Sequence, residues 1–88
     1  MVNRTVMIKN KAGLHLRPAR ELSRLATSCK SSITIVKDDK RANPKSIINL
    51  MSIGIGYGDI ITIECDGNNE ERDLQTIINA IQGGPYNI

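Results

Sequence analysis

The sequence predicts an α+β fold of two layers, in which one sheet is covered on one face by helices. Several stretches have alternating apolar residues, as half-buried strands do, and three others each carry one apolar stripe at helical spacing. The length of 88 residues suits one domain, residues 1–88, with a single core. The predicted order is strand, helix, strand, strand, short helix, strand, helix, and the two apolar surfaces bury each other.

The first half of the chain contains a strand, a helix and a hairpin. Val2 to Lys9 alternates well enough to predict a half-buried strand. The helix extends from Leu16 to Cys29 and has its apolar stripe at Ala19, Leu22, Leu25, Ala26 and Cys29. Ser32 to Lys37 alternates again, and Asp38-Asp39 turns the chain into a short strand at Lys40 to Asn43.

The second half adds a short helix, a strand and a long helix. Ser46 is a suitable N-cap for a helix at Ile47 to Met51. Ile60 to Asp66 is predicted to be the last strand. The final helix begins near residues 68–69, has acidic residues where the helix dipole favours them, and ends at Gly83-Gly84-Pro85.

Composition excludes several classes of function. No apolar run approaches the roughly 20 residues of a membrane span, and the N-terminus does not resemble a signal peptide, so we expect a cytoplasmic protein with no membrane insertion. The net charge is +3, with basic residues spread along the chain. Domains that bind single-stranded nucleic acid stack bases on aromatic rings, and only Tyr57 and Tyr86 are available, so nucleic acid is not an expected partner.

The cysteines and the glycine-rich segment carry no predicted chemistry. Cys29 and Cys65 are isolated and the chain has one histidine, so no metal site is expected; each cysteine is predicted to be a reduced, buried thiol. Gly54-Ile55-Gly56-Tyr57-Gly58 follows a helix and precedes a strand, the reverse of the dinucleotide-binding arrangement. It is predicted to be a flexible connection.

The predicted site is the start of the first helix, Gly13-Leu14-His15-Leu16-Arg17-Pro18-Ala19. With His15 as N-cap, Pro18 lies in the first turn, where its missing N–H has no intrahelical partner anyway, and it fixes the helix start. The free backbone N–H groups of Leu16 and Arg17 can donate to phosphate oxygens, and the Arg17 guanidinium adds a fixed positive charge.

His15 is the predicted phosphoryl acceptor. A neutral imidazole has one ring nitrogen with a free lone pair that can attack phosphorus. Phosphoryl transfer depends mainly on positioning and on stabilising the charge of three oxygens, which backbone amides and one arginine supply. Nothing in the sequence is built to bind a small substrate, so we expect an acceptor of phosphate that needs no cofactor, not an enzyme.

The chain resembles the histidine phosphocarrier family, HPr, of the bacterial phosphoenolpyruvate-dependent sugar phosphotransferase system. Residues 13–19 match the family's active-site motif everywhere except Leu16, and residues 45–55 resemble the motif around its regulatory serine. The resemblance covers essentially the whole chain. It implies an open-faced β-sandwich: a four-stranded antiparallel sheet covered on one face by three helices, ordered βαββαβα.

The resemblance also implies roles. His15 would take phosphate on Nδ1 from enzyme I and pass it to IIA units of sugar permeases, with Arg17 assisting the phosphorylated state. Ser46 resembles the position modified by an HPr kinase/phosphorylase, which controls binding to a transcriptional regulator. The expected partner-docking residues, some of which belong to the core in the plainer interpretation, are Arg20, Arg24, Ile47, Ile48 and Met51. The protein is expected to be a monomer.

Three positions depart from the family pattern. Leu16 replaces a small residue, Arg20 stands where alanine is usual, and Asn49 stands where many relatives have glycine. Glu21 lies one helical turn after Arg17 and is predicted to pair with it. Because His15 is present, the branch of the family that has lost its histidine is disfavoured.

Two alternative functions stay open. One is a regulatory protein that acts through Ser46 phosphorylation and partner binding while His15 is little used. The other, weaker, is a small nucleic-acid-binding domain.

Overall fold

The computed structural model, which describes residues 1–82, contains the elements in the predicted order. The strands are β1 (Val2–Met7), β2 (Ser32–Lys37), β3 (Lys40–Ala42) and β4 (Ile60–Asp66). The helices are α1 (Leu16–Ser28), α2 (Ile47–Ser52) and α3 (Glu70–Gln82). The helix stop predicted at residues 83–85 lies outside the described residues.

The four strands form one antiparallel sheet in the order β1-β4-β2-β3. Its register places Ile63 opposite Ile35, and both side chains are fully buried. On the other face Thr5 lies opposite Thr62, and their hydroxyl oxygens are 2.9 Å apart. That face is left uncovered. The predicted open-faced sandwich is therefore confirmed, and one apolar face of the sheet forms half of the core.

The helices supply the other half of the core. α1 packs against α2 and α3, and α3 packs on β1 and β4. The predicted stripe of α1 is buried except at Leu25, which is half-buried. The fully covered helix residues include Ala19, Leu22, Ala26, Leu50 and Ile77. In the described part of the chain, no helix is both long and apolar enough to cross a membrane.

β1 ends at Met7, two residues earlier than predicted. Ile8 still donates its N–H to the Asp59 carbonyl at 2.9 Å, but the N–H that returns to the Ile8 carbonyl, at 2.8 Å, is that of Gly58. The Asp59 N–H instead donates to Gly56 O at 3.1 Å. The regular ladder is therefore interrupted here, because the chain before β4 makes a turn of its own.

Both cysteines are buried free thiols, as predicted. Cys29 is the C-cap of α1, and Cys65 lies on the inner face of β4. Burial, more than the neighbouring Asp73 carboxylate, raises the pKa of Cys29 and raises the pKa of Cys65 to about 11. Neither thiol is therefore ionised at neutral pH, and both contribute to packing.

Asp73, in the first turn of α3, joins that helix to the residues between α1 and β2. It is 6% exposed, and its carboxylate accepts the Ser31 N–H at 2.9 Å. Burial alone raises the pKa of Asp73, but hydrogen bonds from Ser31, Cys29 and Lys30 outweigh it and hold the pKa below its ordinary value.

We expect Asp73→Ala to lower the free energy of unfolding by about 2 kcal/mol, because the buried Ser31 N–H loses a charged acceptor. Since its native pKa lies below its unfolded value of about 3.9, the ionised Asp73 stabilises the fold above that pH, and the stabilisation disappears as the pH falls through the native pKa. Urea unfolding from neutral to acidic pH measures both effects. A variant as stable as the wild type at neutral pH would contradict them.

Candidate functional site

The backbone of residues 13–15 is held against the connection between α2 and β4. Leu14 is buried, and its N–H donates to the Ile55 carbonyl at 2.9 Å. Gly13 has φ +66°, and a Cβ placed on it would lie 2.7 Å from the Gly56 Cα. Only glycine allows this close approach of two backbones, and the approach lies two residues before the N-cap of α1.

His15 is the N-cap of α1, as the sequence predicts. Its backbone is extended, with φ −81° and ψ −176°, and its carbonyl accepts the Ala19 N–H at 2.9 Å, which is the first hydrogen bond of the helix. The side chain makes no capping hydrogen bond and is exposed. The imidazole ring is therefore available for chemistry.

The helix start offers donors to an anion. Since the first intrahelical bond uses the N–H of Ala19, the N–H groups of Leu16 and Arg17 precede it, and Pro18 has none. The first turn of α1 contains no acidic residue. In contrast, the first turn of α3 carries three carboxylates of its own. The positive end of the α1 dipole is thus left for a bound anion.

Arg17 does not pair with Glu21, so that prediction is wrong. The Glu21 carboxylate accepts hydrogen bonds from Arg24, at 3.1 Å from Nε and 2.8 Å from Nη2. Arg24 lies three residues after Glu21 and takes the position predicted for Arg17. Arg17 is exposed, and among residues 1–82 its guanidinium has no ion pair. Its charge is available to an anion at His15.

Ser46 caps α2, as predicted, and is exposed. Its hydroxyl accepts the Asn49 N–H at 3.3 Å, and its carbonyl accepts the Leu50 N–H at 2.9 Å. The Asn49 amide oxygen accepts the Asn43 N–H at 2.6 Å, so the Asn49 side chain ties the helix to the chain that enters it.

The exposed side chains of α1 and α2 include several predicted docking residues. Ile48 is 82% exposed and Met51 is 39% exposed, whereas Ile47 is half-buried and packs on the core. Arg20 and Leu16 are exposed on α1, which packs against α2. We call Leu16, Arg17, Arg20, Ile48 and Met51 the α1–α2 face.

Sequence reasoning missed the bonding of the glycine-rich segment. It is predicted to be a flexible connection, but it is held by three side-chain interactions. Asp59 Oδ2 accepts the Gly56 N–H at 2.6 Å and lies 2.8 Å from Lys37 Nζ. Lys37 Nζ also donates to the Gly54 carbonyl at 2.6 Å. No local pattern indicates this pair, because Lys37 belongs to a different strand.

Comparison with known proteins identifies the family. The family model described as the PTS HPr component phosphorylation site matches residues 2–83. The chain belongs to the HPr family. It is 42% identical over 77 residues to the phosphocarrier protein HPr of Mycoplasma capricolum, covering 88% of this chain and 86% of that protein. It is also 42% identical over 82 residues to the HPr-like protein Crh of Halalkalibacterium halodurans, covering 93% and 98%.

A solved structure of the family has the same fold. The histidine-containing phosphocarrier protein from Mycoplasma superposes with a TM-score of 0.88 at 39% identity, covering 93% of this chain and all (100%) of that one. HPr proteins are phosphocarriers of the phosphotransferase system. They interact with the enzymes of that system and are not classical enzymes themselves. His15, at the start of α1, lies within the matched region.

Proposed function

We propose that this chain accepts a phosphoryl group from phosphorylated enzyme I on His15 Nδ1 and passes it to IIA units of sugar permeases in the cytoplasm. A P–N bond forms at Nδ1 as the bond between phosphorus and its donor breaks, and the reverse exchange delivers the group to the next acceptor. The observation that carries the proposal is an exposed imidazole at the N-cap of α1 whose side chain makes no capping bond.

The residues around His15 support the phosphorylated state. The N–H groups of Leu16 and Arg17 lie at the positive end of the helix dipole, where phosphate oxygens are favoured acceptors. The exposed Arg17 guanidinium adds charge-assisted hydrogen bonds. The exposed apolar and basic side chains of the α1–α2 face are the docking surface in this proposal, and their exposure supports it.

The proposal is tested by incubating the protein with phosphoenolpyruvate and a purified cognate enzyme I, followed by intact mass measurement. We expect one phosphoryl group in an adduct that is labile to acid and stable to base, as a phosphohistidine is. No adduct with several cognate enzymes I would refute the proposal.

Arg17→Ala is expected to slow phosphoryl transfer about tenfold, because the loss of one charge-assisted hydrogen bond costs roughly 1.4 kcal/mol in the transition state. The measurement is the rate of transfer from enzyme I and to a IIA unit. Arg72→Ala is the matched control, since Arg72 is exposed near Cys29 and Lys30 at the opposite end of α1. Equal rates for the two variants would contradict a role for Arg17.

Two substitutions of Ser46 are expected to distinguish its role as a helix cap from its role in docking. Ser46→Ala removes the cap and lowers the free energy of unfolding by about 1 kcal/mol, whereas Ser46→Asp keeps a good N-cap and the wild-type stability. The aspartate adds negative charge beside Ile48, so only Ser46→Asp raises the KM of enzyme I for this protein. Urea unfolding and transfer kinetics measure these effects; a KM that is equal in both variants would contradict the docking role.

A second candidate function is favoured by the similarity to the HPr-like protein Crh. In this function, phosphate on Ser46 drives binding to a regulator and His15 is little used. A cognate kinase with ATP would then give an acid-stable adduct on Ser46 that binds the regulator, while enzyme I gives none on His15. A Ser46→Ala variant that keeps all partner binding would exclude it.

A further inference from the structure

An ion pair lies at one end of the sheet, outside the α1–α2 face. Lys37 is the last residue of β2, and Asp59 immediately precedes β4. Lys37 Nζ lies 2.8 Å from Asp59 Oδ2, and the two side chains are only 21% and 29% exposed. Partial burial reduces screening by water, so this pair holds its geometry more strongly than a fully exposed pair does.

The pair closes the turn formed by residues 54–59. Besides Lys37, Asp59 Oδ2 accepts the Gly56 N–H at 2.6 Å, while Lys37 Nζ also donates to the Gly54 carbonyl at 2.6 Å. The hydrogen bond from Lys37, followed by that from the Gly56 N–H, lowers the pKa of Asp59 below its ordinary value. Asp59 is thus ionised at neutral pH, and two ends of the turn are joined through one ammonium group.

The same turn supports the backbone that leads to His15. Its Ile55 carbonyl accepts the Leu14 N–H at 2.9 Å, and the Gly56 backbone lies directly against Gly13. The next residue after Leu14 is the N-cap itself. A turn that moves therefore moves the N-cap backbone and the free N–H groups behind it.

We propose that Lys37 and Asp59 are positioning residues for phosphoryl transfer at His15, acting through the turn 54–59 and the Leu14 backbone. The proposal rests on the proposed function of His15. The two side chains bond to the turn and to each other, and neither belongs to the α1–α2 face, so both act through the backbone that they hold. Lys37→Met removes both side-chain bonds from the sheet to the turn, whereas a neutral residue at position 59 removes the ion pair and leaves the hydrogen bond from Lys37 Nζ to the Gly54 carbonyl.

The test compares Lys37→Met, Asp59→Asn and the double variant with a matched control. The control is Arg41→Met and Glu64→Gln, because Arg41 and Glu64 form an ion pair of 2.6 Å across the open face of the sheet, away from the turn. Two quantities are measured: kcat and KM with this protein as substrate of enzyme I, and hydrogen exchange of the Leu14 amide.

We expect kcat to fall about fivefold in each single variant. We expect the double variant to be no worse than either single variant, because residues in one hydrogen-bonded network have effects that do not add. KM stays unchanged because the α1–α2 face is untouched, the Leu14 amide exchanges faster, and Lys37→Arg keeps most of the wild-type kcat. The control variants behave as the wild type does.

A wild-type kcat in the Lys37 and Asp59 variants, or a Leu14 amide that exchanges no faster than in the control, overturns the inference. Loss of kcat in the control variants to the same extent also overturns it, because the effect is then one of general stability. A wild-type protein that gains no phosphate refutes the proposed function, and the Leu14 amide exchange still decides whether the pair holds the backbone before His15.

Discussion

Replacing His15 by alanine is expected to abolish phosphate acceptance from enzyme I completely. His15 is the only histidine of the chain, so no second imidazole can take its place. The adduct that is labile to acid and stable to base, measured by intact mass after incubation with phosphoenolpyruvate and enzyme I, should be absent. A variant that still gains such an adduct would place the acceptor elsewhere.

The fold should survive this change. The His15 side chain is exposed and makes no capping hydrogen bond, and the backbone carbonyl that accepts the Ala19 N–H is kept in alanine. We expect the free energy of unfolding to stay within about 0.5 kcal/mol of the wild type, as for most surface substitutions. Ser46→Ala is the matched control, because it loses a helix cap but keeps His15 and should keep the adduct.

Gly13→Ala is expected to damage both the fold and the site. The φ of +66° disfavours any side chain, and the added Cβ would meet the Gly56 Cα at 2.7 Å and the Ile55 carbonyl oxygen at 2.8 Å. Both obstacles are backbone atoms, which cannot rotate away. We expect a loss of about 3 kcal/mol in the free energy of unfolding, from backbone strain and overpacking together.

Transfer to His15 should fall about tenfold or more in Gly13→Ala, because displacement of the N-cap misaligns the ring and the amides. Gly54→Ala is the control that distinguishes backbone strain from the steric clash with residues 55–56. Gly54 has nearly the same φ as Gly13, +64°, but a Cβ placed there meets nothing within 4 Å. It should cost about 1 kcal/mol and leave transfer nearly unchanged. Equal losses in the two variants, by urea unfolding and transfer kinetics, would refute the close approach of the two backbones as the cause.

Most of the fold could be predicted because its determinants are local. Apolar spacing predicts β1, β2, β4 and the two long helices, and the Ser46 N-cap predicts α2. Asp38-Asp39 predicts the hairpin that leads into β3, in which Asp38 has φ +55° and Lys37 pairs with Lys40. The predicted end of β1 is wrong because the end of a strand depends on its hydrogen-bond partners in the neighbouring segment. Here Gly58, not Asp59, donates its N–H to the Ile8 carbonyl. A single sequence does not show which remote N–H meets a strand.

The candidate site divides in the same way. The N-cap position of His15 and the place of Pro18 in the first turn follow from residues that are adjacent in sequence, so local rules for helix ends predict them. Local rules do not predict which arginine pairs with Glu21. Arg17 and Arg24 both lie within reach on the same helix, and side-chain geometry selects Arg24.

The sequence by itself therefore determined the order of elements, the apolar face of each, and the helix end that carries the imidazole, since each depends on spacing along the chain. Only the tertiary structure decided that the segment at residues 54–58 is a bonded turn, that Gly13 lies against Gly56, and that Lys37 reaches Asp59. These interactions join residues from distant parts of the chain, and they exist only after the sheet has brought the ends of β2 and β4 together.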